Sequence, residues 1–207
     1  FDVSVFHDLD EAQERSLLDD LMEWQRRKFD AGFGAITWPK EHGGAGLGPD
    51  HLDAFLEEEA RFATPPDHET FSVTKNLVAP TIAEFGSPEQ KERFIRPFLR
   101  TEVLCCQLFS EPGAGSDLAG LSTSGAVFSE YGELICRTDS SVAKHAGLTA
   151  FILPLGTPGV EIRPIRQMSG GQSFCEVFFT DVRVPDSLRL GEIGQGWKVA
   201  LTTLAFE

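Results

Sequence analysis

The chain has 207 residues, 41% hydrophobic and 24% charged, enough to bury a sizeable core in one or two domains. Its 32 acids against 18 Lys and Arg give a formal net charge of -14, and no stripe of Lys and Arg gathers to neutralise phosphates, which argues against nucleic-acid binding. No stretch approaches the roughly 18 apolar residues of a membrane span and no secretory leader opens the chain, so a cytoplasmic protein is expected.

From Leu9 to Phe29 the residues Leu17, Leu18, Leu21, Met22 and Phe29 recur near helical spacing among charges, and Gly32 and Gly34 end that helix. Gly34 to Asp50 (GAITWPKEHGGAGLGPD) reads as a loop. Asp50 is placed to cap a helix carrying Leu52, Phe55, Leu56 and Phe62 on one side. Another helix is expected over Glu69 to Phe85, kinked or interrupted by Pro80. In GSPEQKERFIRPFL, Ser87 is the N-cap, Pro88 takes the first helical position and Gln90 completes a capping box.

After about Arg100 the texture changes. VLCCQLF, LTAFIL, GVEIRPI, FCEVFF and VRVP are short runs rich in Val, Ile and Phe, separated by turn residues, and they predict the strands of a small barrel or sandwich. From Gln195 the pattern turns helical again and runs to the last residue, which predicts that further helices follow. The expected fold is α+β. A helical domain spans 1–100, a small β-barrel domain 101–192, and 193–207 begins a C-terminal helical bundle.

Cys105, Cys106, Cys136 and Cys175 form no Cys-x-x-Cys pair and read as buried, reduced thiols; neighbours Cys105 and Cys106 should point to opposite faces of a strand. The five His, at 7, 42, 51, 68 and 145, show no metal-ligand spacing and read as surface or loop residues. Arg163, Arg166 and Arg183 alternate with apolar residues and should point outwards.

Phe109 to Asp117, FSEPGAGSD, leaves an apolar run with small residues whose backbone N–H groups can converge on an anion. Ser116 adds a hydroxyl and Pro112 stiffens the loop. The run is not Gly-x-Gly-x-x-Gly, and its chemistry alone also suits an ordinary turn.

QLFSEPGAGSDLAGL resembles the flavin-binding signature of the acyl-CoA dehydrogenase family. TWPKEHGGAGLG resembles that family's Trp-Pro-x-Glu-Tyr-Gly-Gly segment, with His42 in the aromatic place. GSPEQKERFIRPFL and EVFFTDVRVPDSLRLGEIGQGWKVALTTLAFE resemble two further family segments, and all four stand in the family's order. The resemblance implies FAD as cofactor, held along Gln107, Leu108, Phe109, Ser110, Gly115, Ser116 and Ser124, with Ser116 also touching an acyl-CoA substrate. It implies α,β-dehydrogenation of an acyl-CoA thioester with hydride transfer to flavin N5, and an electron-transfer flavoprotein as acceptor. It also implies a homo- or hetero-tetramer. A flavin-dependent oxidase or monooxygenase on this fold, or a non-catalytic subunit completing a partner's flavin site, stays open.

The family's catalytic Glu belongs to C-terminal helices that this sequence lacks, so no base is named; Glu111 is a motif residue and Glu207 stands near a structural position. The family's Asn-Gly-x-Lys-x-Trp run, whose Trp shields the flavin, is missing within Leu121 to Ala126. Omission of a segment is the reading of lower physical cost, because loss of barrel strands would expose sheet edges. Thr123 and Ser124 stand beside flavin N5 if they follow that break, and not if they precede it. Phe71, Thr74 and Leu77 are candidates for the base of the acyl pocket, and Ser140 and Ser141 for the CoA nucleotide.

Overall fold

The computed structural model describes residues 9–109, 121–165 and 174–207. Helix α1 (Glu11–Asp30) starts on a capping box: Gln13 N–H donates to the Asp10 side chain while Asp10 N–H donates to the Gln13 side chain. Glu11 and Glu14 lie in its first turn and Arg27 and Lys28 in its last, which suits the helix dipole. Helix α2 (Pro49–Glu59) departs from expectation at its cap. Pro49, whose missing N–H and fixed φ suit the first helical position, moves the cap back to Gly48 and leaves Asp50 in the first turn.

The segment from Glu69 to Phe85 is one rod in three parts. Helix α3 (Glu69–Ser72) passes into a π-helical stretch (Val73–Val78) and then α4 (Ala79–Phe85). The interruption expected at Pro80 takes the form of that wide turn, in which Ala79 N–H donates to the Thr74 carbonyl five residues back. Widening makes room for a ring that would otherwise press on the preceding turn. Helix α5 (Pro88–Leu99) begins as expected, with the Ser87–Gln90 capping box and Pro88 in its first turn.

The strands are β1 (Cys105–Phe109), β2 (Leu121–Ser124), β3 (Tyr131–Arg137), β4 (Leu148–Pro154), β5 (Val160–Pro164), β6 (Phe174–Phe179) and β7 (Arg189–Leu190), followed by helix α6 (Gly196–Ala205). One sheet has the order β1-β3-β4-β7, with β1 parallel to β3 and the other pairs antiparallel; the second, antiparallel, has the order β2-β6-β5. The architecture is α+β as expected, and no ladder closes the two sheets into a barrel among the described residues. VRVP forms no strand, because Asp181 turns the chain at φ 52 just ahead of it.

The four-stranded sheet is the middle layer. Cys105, Ile135, Ala150, Ile152 and Leu190 face the helices, packing with Val78, Ile82, Phe94, Phe98 and Val199. The other face presents Cys106, Leu108, Leu134 and Leu153 to Cys175 and Val177 of the second sheet. The vicinal cysteines thus go to opposite cores, as strand alternation requires.

One buried amide ties the helical layer together. Gln25 is wholly buried, and its Nε2 donates to the carbonyls of Gly34 and Leu99, each at 2.8 Å. Gln25→Leu fills the same space but strands both carbonyls without a donor, so a loss of about 2 kcal/mol is expected in urea unfolding. An unchanged midpoint and slope would refute that assignment.

Candidate functional site

β1 leaves the core beside the π-helical stretch and the end of α6. A cleft of about 170 Å³ opens there, walled by Val73, Leu77 and Phe206, with Glu69, Ser72, Asn76, Gln107 and Glu207 completing its lining. The wall is apolar and the remaining lining polar, the make-up of a site that orients a partly apolar ligand.

The backbone of β1 is aimed at this region. Thr74 Oγ1 accepts from Cys105 N–H at 2.9 Å and lies 3.1 Å from the Cys105 carbonyl. The polar main-chain groups of Cys105 therefore face away from β3. Alternate residues of a strand share an edge, so those of Gln107 and Phe109 face the same way. No other strand is hydrogen-bonded to that edge among the described residues.

Of the residues singled out in sequence, Gln107 lines the cleft and Phe109 lies half-buried against the helix-side core. Leu108 packs between the two sheets and is fully buried. Ser124 closes β2 opposite Phe174 of β6. Ser110, Gly115 and Ser116, with Glu111, lie outside the described residues. The three pocket candidates separate: Leu77 lines the cleft, Thr74 is anchored to β1, and Phe71 faces a different cavity. The residues that sequence reasoning missed here are Glu69, Ser72, Val73, Asn76 and Phe206. A π turn changes which side chains share a face, so ordinary helical spacing gives no signal for them.

The surface reading of the histidines fails at His68. Its Nε2 lies 2.7 Å from Glu14 Oε1, and the two side chains are only 12% and 4% exposed. His68 Nδ1 accepts from Thr70 N–H, capping α3 and leaving the ring proton on Nε2 to donate to Glu14. This pair fastens α1 to the helix that walls the cleft. His145 is a stacking residue, its ring 3.9 Å from that of Trp197. Arg163 points outwards onto Glu161, and Arg183 is exposed; His7 and Arg166 lie outside the described residues. Ser141 is held by Asp139 in a tight exposed turn.

Cys105, Cys136 and Cys175 offer no reactive thiolate, because burial raises the pKa of all three. Burial pushes Cys105 well up and Cys136 up to about 11. No group of three or more His, Cys, Asp and Glu that could hold a metal ion occurs among the described residues, nor a helix long and apolar enough to cross a membrane.

The fold, helices on one face of a four-stranded sheet and a second sheet on the other, is that of solved acyl-CoA dehydrogenases. The Tcur3481-Tcur3483 steroid ACAD superposes with a TM-score of 0.72 at 30% identity, covering 89% of this chain and 52% of that one. The ChsE4-ChsE5 complex from Mycobacterium tuberculosis gives 0.66 at 28% identity over 90% of this chain and 52% of that one. Residues 5–102 match the model of the acyl-CoA dehydrogenase N-terminal domain. The acyl-CoA dehydrogenase IpdE1 of Mycolicibacterium smegmatis is 39% identical over 94% of this chain and 56% of its own length.

The chain belongs to the acyl-CoA dehydrogenase family. It spans about half the length of the curated relatives it matches. The alignment with IpdE1 runs over 223 positions, more than the whole of this chain, so that relative carries residues with no counterpart here.

Proposed function

We propose that this chain is the flavin- and acyl-CoA-facing part of an FAD-dependent acyl-CoA dehydrogenase that removes hydrogen across the α,β bond of an acyl thioester. The observation that carries the reading is the outward edge of β1 opening beside the cleft, at the point where the family-like loop begins. Gln107 and Phe109 would offer main-chain donors and acceptors to the edge of the isoalloxazine, a planar group rich in both. The loop after β1 would cradle the pyrophosphate, with Gly115 leaving its backbone unobstructed and Ser116 donating a hydroxyl. FAD, when bound, supplies the hydride acceptor.

The chain's own residues serve orientation and the exclusion of water. Val73, Leu77 and Phe206 would receive the apolar part of the acyl group, while Asn76 and Ser72 would meet its polar end. The base that takes the α-proton is assigned to helices beyond those described. β2 leads straight into a left-handed turn at Gly125, and among the described residues no second strand pairs with β1 opposite β3, as would follow if the family's missing segment belonged there. We assign the missing family positions to that junction.

Two solved relatives carry paired names, and one of them is called a complex, which supports assembly with a second chain of the same family. An electron-transfer flavoprotein is the proposed acceptor. The names of two solved relatives, a steroid ACAD and a butyryl-CoA dehydrogenase, make a steroid acyl-CoA and butyryl-CoA the substrates to try.

The test is anaerobic titration of the FAD-reconstituted protein, prepared with a family partner chain and without one. The yellow absorbance should bleach with an acyl-CoA in at least one preparation and return with an electron-transfer flavoprotein. Failure of both preparations to take up FAD would overturn the reading. Peroxide formed in proportion to substrate would instead mark an oxidase.

A further inference from the structure

The helix that walls the cleft has a second cavity at its back. About 330 Å³ in volume, it lies between that helix, α1, α2 and the segment around Thr64–Asp67. Lys75, on the π-helical stretch, lines it together with Trp24 and Lys28 of α1 and Glu59 of α2. The pocket therefore holds two lysines and two carboxylates, Asp67 and Glu59, and Glu59 is already committed. Glu59 Oε1 accepts from Trp24 Nε1 at 2.8 Å and from Lys28 Nζ at 2.9 Å.

Lys75 is left against an aromatic face. Its Nζ lies 4.8 Å from the centre of the Phe71 ring, and no salt bridge engages it among the described residues. Burial, and then the charge of Lys28, bring its pKa down to about 8, while Asp67 and then Glu59 pull the other way. The charged groups around it are thus Lys28 from α1, Glu59 from α2 and Asp67 from the adjoining segment. A half-buried amine that loses its proton this readily, with space in front of it, is a nucleophile.

We propose that Lys75 Nζ is an acylation site, taking the acyl group of a small thioester that enters this cavity. The unprotonated nitrogen attacks the thioester carbonyl carbon. The N–C bond forms as the C–S bond breaks, and the sulfur leaves with the electron pair and takes up the proton released by nitrogen. The products are a neutral amide and a free thiol, and no oxidant is consumed. Because Asn76 borders both cavities, the new acyl group would sit against the back of the helix that walls the cleft. The inference does not depend on flavin binding.

The experiment exposes the full chain to S-acetyl-N-acetylcysteamine, a thioester without the CoA nucleotide, and follows each lysine by peptide mass spectrometry. Near pH 7.5 about a quarter of Lys75 is free amine, against about one part in a thousand of an exposed lysine, and the weaker nucleophilicity of the less basic amine takes back part of that gain. Acetylation of Lys75 should run about tenfold faster than that of exposed Lys40 and Lys144. Its rate should level off above about pH 8, where theirs still climb. Lys28→Met removes the neighbouring charge and frees Glu59 to pair with Lys75, so labelling there should slow several-fold with the other lysines unchanged. Labelling of Lys75 in the unmodified protein at or below the rate of Lys40 and Lys144, or a rate that keeps climbing with theirs, would overturn the proposal.

Discussion

Glu133→Gln is expected to remove a steep loss of stability that the protein suffers as pH rises from about 4.5 to about 8. Glu133 lies on β3, wholly buried on the helix side of the central sheet. Thr203 Oγ1 donates to its Oε1 at 2.7 Å, and Thr81 lies 3.0 Å behind Thr203, so the carboxyl is held beneath α6 and α4. Its Oε2 is buried with no hydrogen-bond partner. Burial raises the carboxyl from 4.5 to about 8, against a smaller opposing pull from Thr203.

The sign follows from proton counting. Below pH 4.5 folded and unfolded chains both hold the proton, and nothing is lost. Between 4.5 and 8 the unfolded chain has released it while the folded chain still binds it, so stability falls as pH rises, and above 8 the loss is complete. The full penalty is roughly 5 kcal/mol. A glutamine keeps an acceptor for Thr203 and has no proton to lose. Urea unfolding of both proteins at pH 5 and pH 8.5 checks this: the difference between them should widen at the higher pH in favour of the variant. Parallel pH profiles would refute the assignment.

Gly125→Ala is expected to cost about 3 kcal/mol, from two sources that can be separated. The residue joins β2 to the turn at Ala126–Phe128 and has φ 70, where a side chain is strained. A Cβ there would also stand 1.7 Å from Thr70 Oγ1. Thr70 is buried in the first turn of α3, beside the His68 cap, and has nowhere to retreat. Its hydroxyl is buried without a hydrogen-bond partner, so Thr70→Ala alone should cost little. Adding Thr70→Ala to Gly125→Ala removes the hydroxyl and methyl but leaves the residue-70 Cβ 2.8 Å from the new one, so it should recover about 1 kcal/mol of the clash and leave the rest with the backbone strain. Strict additivity of the two substitutions in denaturant unfolding would show that the contact does not form.

Much of the helical half is legible residue by residue. The Ser87–Gln90 box, the interruption at Pro80 and the opposite burial of Cys105 and Cys106 all arise from groups a few residues apart, where geometry is set by the chain itself. The family resemblance, through the segments beginning at Thr37, Gly86, Gln107 and Glu176, carried family membership and pointed to β1 as the approach to the site, while the helical and strand texture carried the fold class. Strand β3 escaped the pattern reading because Glu133 and Arg137 interrupt its apolar run, although it is a central strand of the sheet.

What the sequence determined, then, is local: where helices begin, where a proline forces a wider turn, which cysteines face apart. What the tertiary structure alone decided is partnership. Glu14 and His68 lie 54 residues apart, Glu133 and Thr203 lie 70 apart, and Lys75 meets Lys28 only because α1 packs behind the π-helical turn. The protonation and reactivity of such groups depend on what excludes water from them and which charge stands nearest, and the packing of distant segments sets both.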